Sequence, residues 1–214
     1  MKVSLFSLIK FGQKPHIQDL LDNGTIYMNH ISEFVKIEDG FLRGDGHEAL
    51  ILIEETSDID ILLDGQIIAK ADSGHIAFHS KFPVGNIYSM YALLAIEDLS
   101  QLKIDARCKE FGDSCLIILD VVEFIDRVKK AVLAINRKLL FSPVSYEDVK
   151  SYRGKWTLFK KPITYNYQSE FRFLIKQEDF IGPVVLTIGS LKDIAVVLES
   201  ECIDRLKVEG NHEP

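Results

Sequence analysis

Cysteine is scarce in this chain and poorly spaced for its structural uses. Cys108, Cys115 and Cys202 are an odd number with no CxxC pair, which argues against a disulfide framework and a thiolate zinc site and suits a reducing compartment. Long apolar runs are also missing. No stretch approaches the ~18 consecutive apolar residues of a membrane span, and Met1-Lys2-Val3-Ser4-Leu5-Phe6 is too short an apolar start for a secretion signal. Positive charge is in deficit, with 25 Lys and Arg against 32 Asp and Glu and a formal net charge of -7. That opposes a broad phosphate-binding surface and leaves room only for a local basic patch. No GxSxG elbow, HExxH, P-loop or strand-borne GxGxxG occurs, so hydrolase, zincin and dinucleotide-domain readings lack support. The expectation is a cytoplasmic protein with no membrane association.

What is present suits one compact domain. The 214 residues are 47% hydrophobic and 27% charged, enough apolar material for a substantial core, and the chain is taken as a single domain over 1–208 with a frayed tail at 209–214. Val3 to Ile9 reads as a first strand, Lys14-Pro15 starts a helix over His16 to Leu21, and Asn23-Gly24 stops it. Thr25 to Met28 is a second strand, followed by a helical turn carrying Ile31, Phe34 and Val35. Ala49 to Phe82 is β-rich, with a hairpin turn at Asp64-Gly65. Ile87 to Leu94 reads as a central strand with Ser89 and Tyr91 on one face and Tyr88 on the other. Cys115 to Leu119 is a further strand. Val122 to Lys138 is a long helix marked by Phe124, Val128, Val132, Ile135 and Leu139. A helical turn is expected over Tyr146 to Tyr152. Val184 to Gly189 and Ile194 to Leu198 close the chain as two strands, or a strand and a helix.

Tyr165 to Ile175 carries the most unusual pattern. Phe171, Phe173 and Ile175 alternate with Gln168, Glu170 and Arg172, the period of a strand, which places an amide, a carboxylate and a guanidinium on one face. Such a face either meets water, where Glu170 and Arg172 would pair with neighbouring charges and keep an edge soluble, or it lines a cleft. A second candidate lies at Arg43-Gly44-Asp45-Gly46-His47-Glu48, where two glycines and four ionisable groups share six residues; a plain Asp-Gly turn with solvated charges is the alternative. His16, His30, His47, His75 and His79 are scattered. His75 and His79 fall on one strand face, too far apart to read as a metal pair.

Gln168-Ser169-Glu170, with Ser89 on an earlier strand, resembles the Q/E-x-E motif of Arg-Ser-Glu ADP-ribosyltransferases. The chemistry agrees with the spacing: cleavage of the nicotinamide glycosidic bond passes through an oxocarbenium-like state that one carboxylate can stabilise, so no metal is needed. The wider order also resembles an uncharacterised bacterial family of toxin and phage-defence type. The matching pieces are Leu5-Phe6-Ser7-Leu8, Asn23-Gly24-Thr25-Ile26-Tyr27-Met28-Asn29, the Arg43 to Glu48 loop, and Tyr165-Asn166-Tyr167-Gln168-Ser169-Glu170-Phe171-Arg172. The resemblance covers roughly residues 3 to 175.

The resemblance implies an α+β, ADP-ribosyltransferase-like fold of two packed, mostly antiparallel sheets with flanking helices, and NAD as the substrate. It implies Glu170 as the essential carboxylate, Gln168 orienting the acceptor, and Ser89 and Tyr27 lining the nicotinamide site. Where that class uses an Arg on the first strand, this chain has Ser7 and Lys10, so Lys10 or Arg43 takes the diphosphate, with Arg172 beside it and Asp45 and Glu48 on a ribose or the loop itself. The acceptor is a macromolecule, RNA, DNA or protein, with an antitoxin or chaperone as partner. Lys129, Lys130, Arg137, Lys138, Lys155, Lys160 and Lys161 are expected to form the basic side of an otherwise acidic protein. Two other readings stand beside this one. One is a non-catalytic binding or sensor module, the other a metal-dependent nuclease built on Asp45, His47, Glu48 and Glu170.

Overall fold

The computed structural model describes residues 5–35, 50–79, 85–94, 103–176 and 182–206. The Arg43 to Glu48 loop and the 209–214 tail lie outside the described residues.

The chain opens with strand β1, Leu5–Gly12, whose side chains alternate between two apolar clusters: Leu8 enters one, Ile9 and Phe11 the other. Helix α1, Lys14–Asn23, begins with Pro15 in its first turn, where the missing N–H costs nothing. It ends at Gly24, which takes a left-handed φ of 66° and returns its N–H to the Leu20 carbonyl, as a helix C-cap does. Strand β2, Thr25–His30, and the short helix α2, Ile31–Val35, follow. Strands β3, Leu50–Leu63, and β4, Gln66–His79, form a long hairpin. It turns at Asp64 and Gly65, both with positive φ, the geometry that the Asp-Gly pair favours. Strand β5 is Asn86–Leu94, a 3-10 helix covers Ala106–Phe111, β6 is Ser114–Ile118 and helix α3 is Val121–Ala134. The short strands β7, Leu139–Pro143, β8, Ser145–Glu147, β9, Gly154–Lys155, and β10, Lys160–Pro162, lead to a 3-10 helix over Ile163–Gln168. Strand β11, Glu170–Ile175, then β12, Val184–Thr187, and β13, Ala195–Glu199, complete the sheet, and a final 3-10 helix covers Ser200–Arg205.

The architecture is α+β and mostly antiparallel. In place of two packed sheets, the main body is one eight-stranded sheet, with β1, β2, β5, β6, β7, β11, β12 and β13 as members. A parallel pair, β8 with β10, and the ribbon β4-β3-β9 stand apart from it. Among the described residues no helix is long and apolar enough to cross a membrane.

Strand β5 organises the sheet. Along one edge β11 pairs with it continuously, Glu170 opposite Tyr91 through Ile175 opposite Asn86. The other edge is shared. Strand β1 pairs from Leu94 to Tyr91, and β2 takes only Ile87 and Asn86. The two neighbours therefore diverge and, among the described residues, leave Tyr88, Ser89 and Met90 without a strand partner on that side. Alternation sorts the side chains: Tyr88, Met90 and Ala92 join Phe171, Phe173 and Ile175 in the larger core, which α3 covers through Phe124, Val128 and Val132. The Phe124 and Phe173 rings meet edge to face at 5.9 Å, a favoured aromatic geometry.

Three expectations are corrected. The strand expected over Tyr165 to Ile175 exists only from Glu170, because Ser169 takes a left-handed φ of 38° and ends the preceding 3-10 helix. The long helix stops at Ala134, where Asn136 adopts φ 55°, and Leu139 is already in β7 opposite Ile175. The segment from Tyr146 is strand β8 followed by a turn in which the Ser151 and Tyr152 amides donate to the Asp148 carbonyl.

Candidate functional site

The gap between β1 and β2 is a cavity of about 660 Å³, inside the range of about 300–1,000 Å³ typical of small-molecule sites. Its walls come from β1, α1, β2, β5 and β11, and it reaches both faces of the sheet. Ser89, Gln168, Glu170, Arg172, Lys10 and Tyr27 all line it. These six of the nine residues singled out in the sequence thus converge. Arg43, Asp45 and Glu48, with His47, lie outside the described residues.

Glu170 is the centre of the site. It leads β11 on the face opposite the large core and is only 5% exposed. Ser89 Oγ donates a short hydrogen bond to Glu170 Oε1, Arg172 Nε donates to the same oxygen at 2.6 Å, and Lys161 Nζ lies 3.0 Å from Oε2. The Glu170 amide donates to Tyr146 Oη at 2.8 Å. Burial alone would push the carboxyl up, but the Arg172 guanidinium, then the Lys161 ammonium, with the hydrogen bonds from Arg172 and Ser89, outweigh it and hold Glu170 well below the ordinary carboxylate range. The ionised form is therefore the favoured one, which makes Glu170 a weaker proton acceptor than an ordinary carboxylate. Arg172, 1% exposed, also donates to the Leu158 carbonyl at 2.6 Å.

Gln168 reaches the cavity from the 3-10 helix rather than from the strand. Its Oε1 accepts from Lys161 Nζ at 2.8 Å, and its Nε2 donates to Tyr167 Oη at 3.3 Å. The left-handed Ser169 makes this reach possible; its conformation costs of order 1–3 kcal/mol in a non-glycine residue. It is held by reciprocal bonds with β5, Ser169 Oγ to the Ala92 carbonyl at 2.8 Å and the Ala92 amide to the Ser169 carbonyl at 2.6 Å.

Lys10 sits just beyond the last β1–β5 pair, and its Nζ donates to the Ser89 carbonyl at 2.8 Å and lies 4.3 Å from the Tyr88 ring centre. It thus carries positive charge into the gap where strand pairing fails. Tyr27 is half exposed at the mouth. Phe11 and Tyr91 meet edge to face at 6.5 Å on another wall, and burial pushes the Tyr91 phenol up to about 12. Among the described residues no group of three or more His, Cys, Asp or Glu is placed to hold a metal ion.

Two contributors escape a sequence reading. Lys161 was expected on a basic surface but is buried. It pairs in register with Tyr146 across the parallel β10–β8 couple, and both point at Glu170. Its neighbour Lys160 goes the other way, to Glu147 at 2.6 Å. The alternation of Lys160, Lys161 and Pro162 is the signal that could have found it. Tyr146 offers none, since its expected helical turn is a strand.

No family model matches the chain, and no curated protein or solved structure matches it.

Proposed function

We propose that this chain is an NAD-dependent ADP-ribosyltransferase acting on a macromolecule, with the β1/β2 gap as its nucleotide site. The observation that carries the reading is a buried Glu170 carboxylate, bonded by Ser89, on the floor of a cavity large enough for a small molecule and lined by aromatic rings.

In this reading the C1′–N glycosidic bond of the nicotinamide ribose breaks and its electron pair leaves with neutral nicotinamide. The ribosyl cation is stabilised by the Glu170 carboxylate, and an acceptor lone pair forms the new bond at C1′ while its proton passes to solvent. Glu170, a weaker base than an ordinary carboxylate, acts electrostatically. Gln168, held by Lys161 and Tyr167, orients the acceptor. Lys10 supplies charge for the diphosphate, and Tyr27 and Ser89 line the nicotinamide end. Glu170, Lys161 and Arg172 together sum to +1, which suits an anionic ligand. RNA, DNA or protein can be the acceptor, and an antitoxin or chaperone would be the natural partner of such an activity.

One observation favours a second reading, a non-catalytic site for an anionic ligand: both Glu170 oxygens are already engaged by side chains of the protein itself. The two are separated by incubating the protein with labelled NAD and cell extract, and by measuring its thermal shift with NAD. Label transfer lost in Glu170→Gln supports the transferase. A thermal shift without nicotinamide release supports the binding module. The absence of both responses to NAD would contradict the proposed function.

A further inference from the structure

The β3–β4 hairpin is not used by the site described above. Its base is anchored where β9 pairs with Leu52 and Ile53 and where Leu50, Ile53 and Trp156 form a small core. From Glu54 outwards it is a two-stranded ribbon in the described residues, and most of its side chains are exposed. A ribbon of two strands is marginal in water by itself, and stability normally needs a third.

Charge is unevenly divided between its two strands. An outer strand that faces solvent usually carries the charges that block pairing with another chain. Beyond Glu54 both strands are edges in the described residues, and they differ: β3 carries Glu54, Glu55, Asp58 and Asp60, while β4 carries only Lys70 and Asp72 besides its histidines and has no proline. Exposed apolar side chains sit on that edge strand, among them Ile67 at 51% and Ile68 at 61%.

We infer that β4 is a self-association edge: it pairs antiparallel with β4 of a second copy of this chain about a two-fold axis at Ala71. This register sets Lys70 of each copy opposite Asp72 of the other, twice per dimer. It places Ala71 against Ala71 and Ala69 against Ser73, so only small residues meet at the crossing. The result is a four-stranded ribbon with an isologous contact and no free β4 edge. The dimer is independent of the proposed activity.

The test is the mass of the full chain in solution by sedimentation and light scattering across a concentration series. The wild type is expected to dimerise reversibly. Lys70→Asp or Asp72→Lys places like charges opposite each other and should weaken the dimer at least tenfold. The double variant Lys70→Asp with Asp72→Lys restores opposite pairing and should recover it. This recovery separates the interface from the hairpin's own Lys70–Asp60 contact of 3.3 Å, which the double variant also lacks. Ala71→Cys should give a disulfide-linked dimer on oxidation, and Ala69→Cys should not. A chain that stays monomeric throughout, a dimer insensitive to the single reversals, or a double variant no better than the singles would each overturn the inference.

Discussion

Replacing Glu170 by Gln keeps the shape of the side chain and removes its charge. Arg172 and Lys161 then remain buried, at 1% and 4% exposure, without the anion that lies 2.6 Å from one and 3.0 Å from the other. Breaking a buried pair from one side leaves an uncompensated charge and costs about 3–5 kcal/mol, a large part of the roughly 5–15 kcal/mol that holds a domain together. With a urea slope of about 1–3 kcal/mol per molar, the unfolding midpoint should fall by roughly 1 M or more. The decisive variant is the double one. Lys161→Met in the Glu170→Gln background removes one stranded cation, so it should recover part of the loss, whereas Lys161→Met in the wild type is destabilising. The coupling has a sign opposite to simple addition. A Glu170→Gln midpoint within error of wild type, or costs that simply add in the double variant, would refute the ion-triad account of this site.

Acid should erase the same interaction. The folded carboxyl lies below its ordinary value of 4.5, so its contribution is complete above that value and is lost as pH falls through the folded one. The stability gap between wild type and Glu170→Gln should stay constant from neutral pH to about 4.5 and narrow below it, as read by denaturant titrations at successive pH values. Gly24→Ala would place a Cβ 2.1 Å from the Gly189 carbonyl oxygen at a φ of +66°. About 2 kcal/mol or more should be lost, against a smaller loss for Gly65→Ala, where nothing lies within 4 Å; thermal midpoints rank the two. Burial pushes the Cys108 and Cys115 thiols up to about 12 and about 11, so a thiol reagent should label the native protein at Cys202 alone and all three cysteines after unfolding.

Much of the scaffold is legible in the residues because local signals agree with the global fold. Gly24 stops α1, Asp64-Gly65 turns the hairpin, and the alternation of β5 and β11 assigns Ser89 and Glu170 to one face and Phe171 and Phe173 to the other. The errors arise where local periodicity is ambiguous. Leu139 fits the helical spacing of α3, yet Asn136 leaves the helix three residues earlier, and an Asn at that place is a helix-stop signal. Tyr165 to Gln168 fits a strand period, but the left-handed Ser169 breaks it, and nothing in a serine announces that conformation. Lys161 and Tyr146 are further from view, because a parallel pair of three-residue strands brings them to Glu170, and pairing between distant short segments leaves almost no local trace. The cavity itself belongs to topology: it exists because β1 and β2 share one edge of β5 without meeting.

The proposed role of Glu170 in nicotinamide departure is read from the release of nicotinamide from NAD in the presence of acceptor fractions, with wild type and Glu170→Gln compared at equal folded fraction. The account predicts release by the wild type and a fall of roughly 10²–10³ in Glu170→Gln, the scale of a lost electrostatic stabiliser. Equal rates in the two proteins, or no release by the wild type with nucleic-acid or protein fractions, would contradict it.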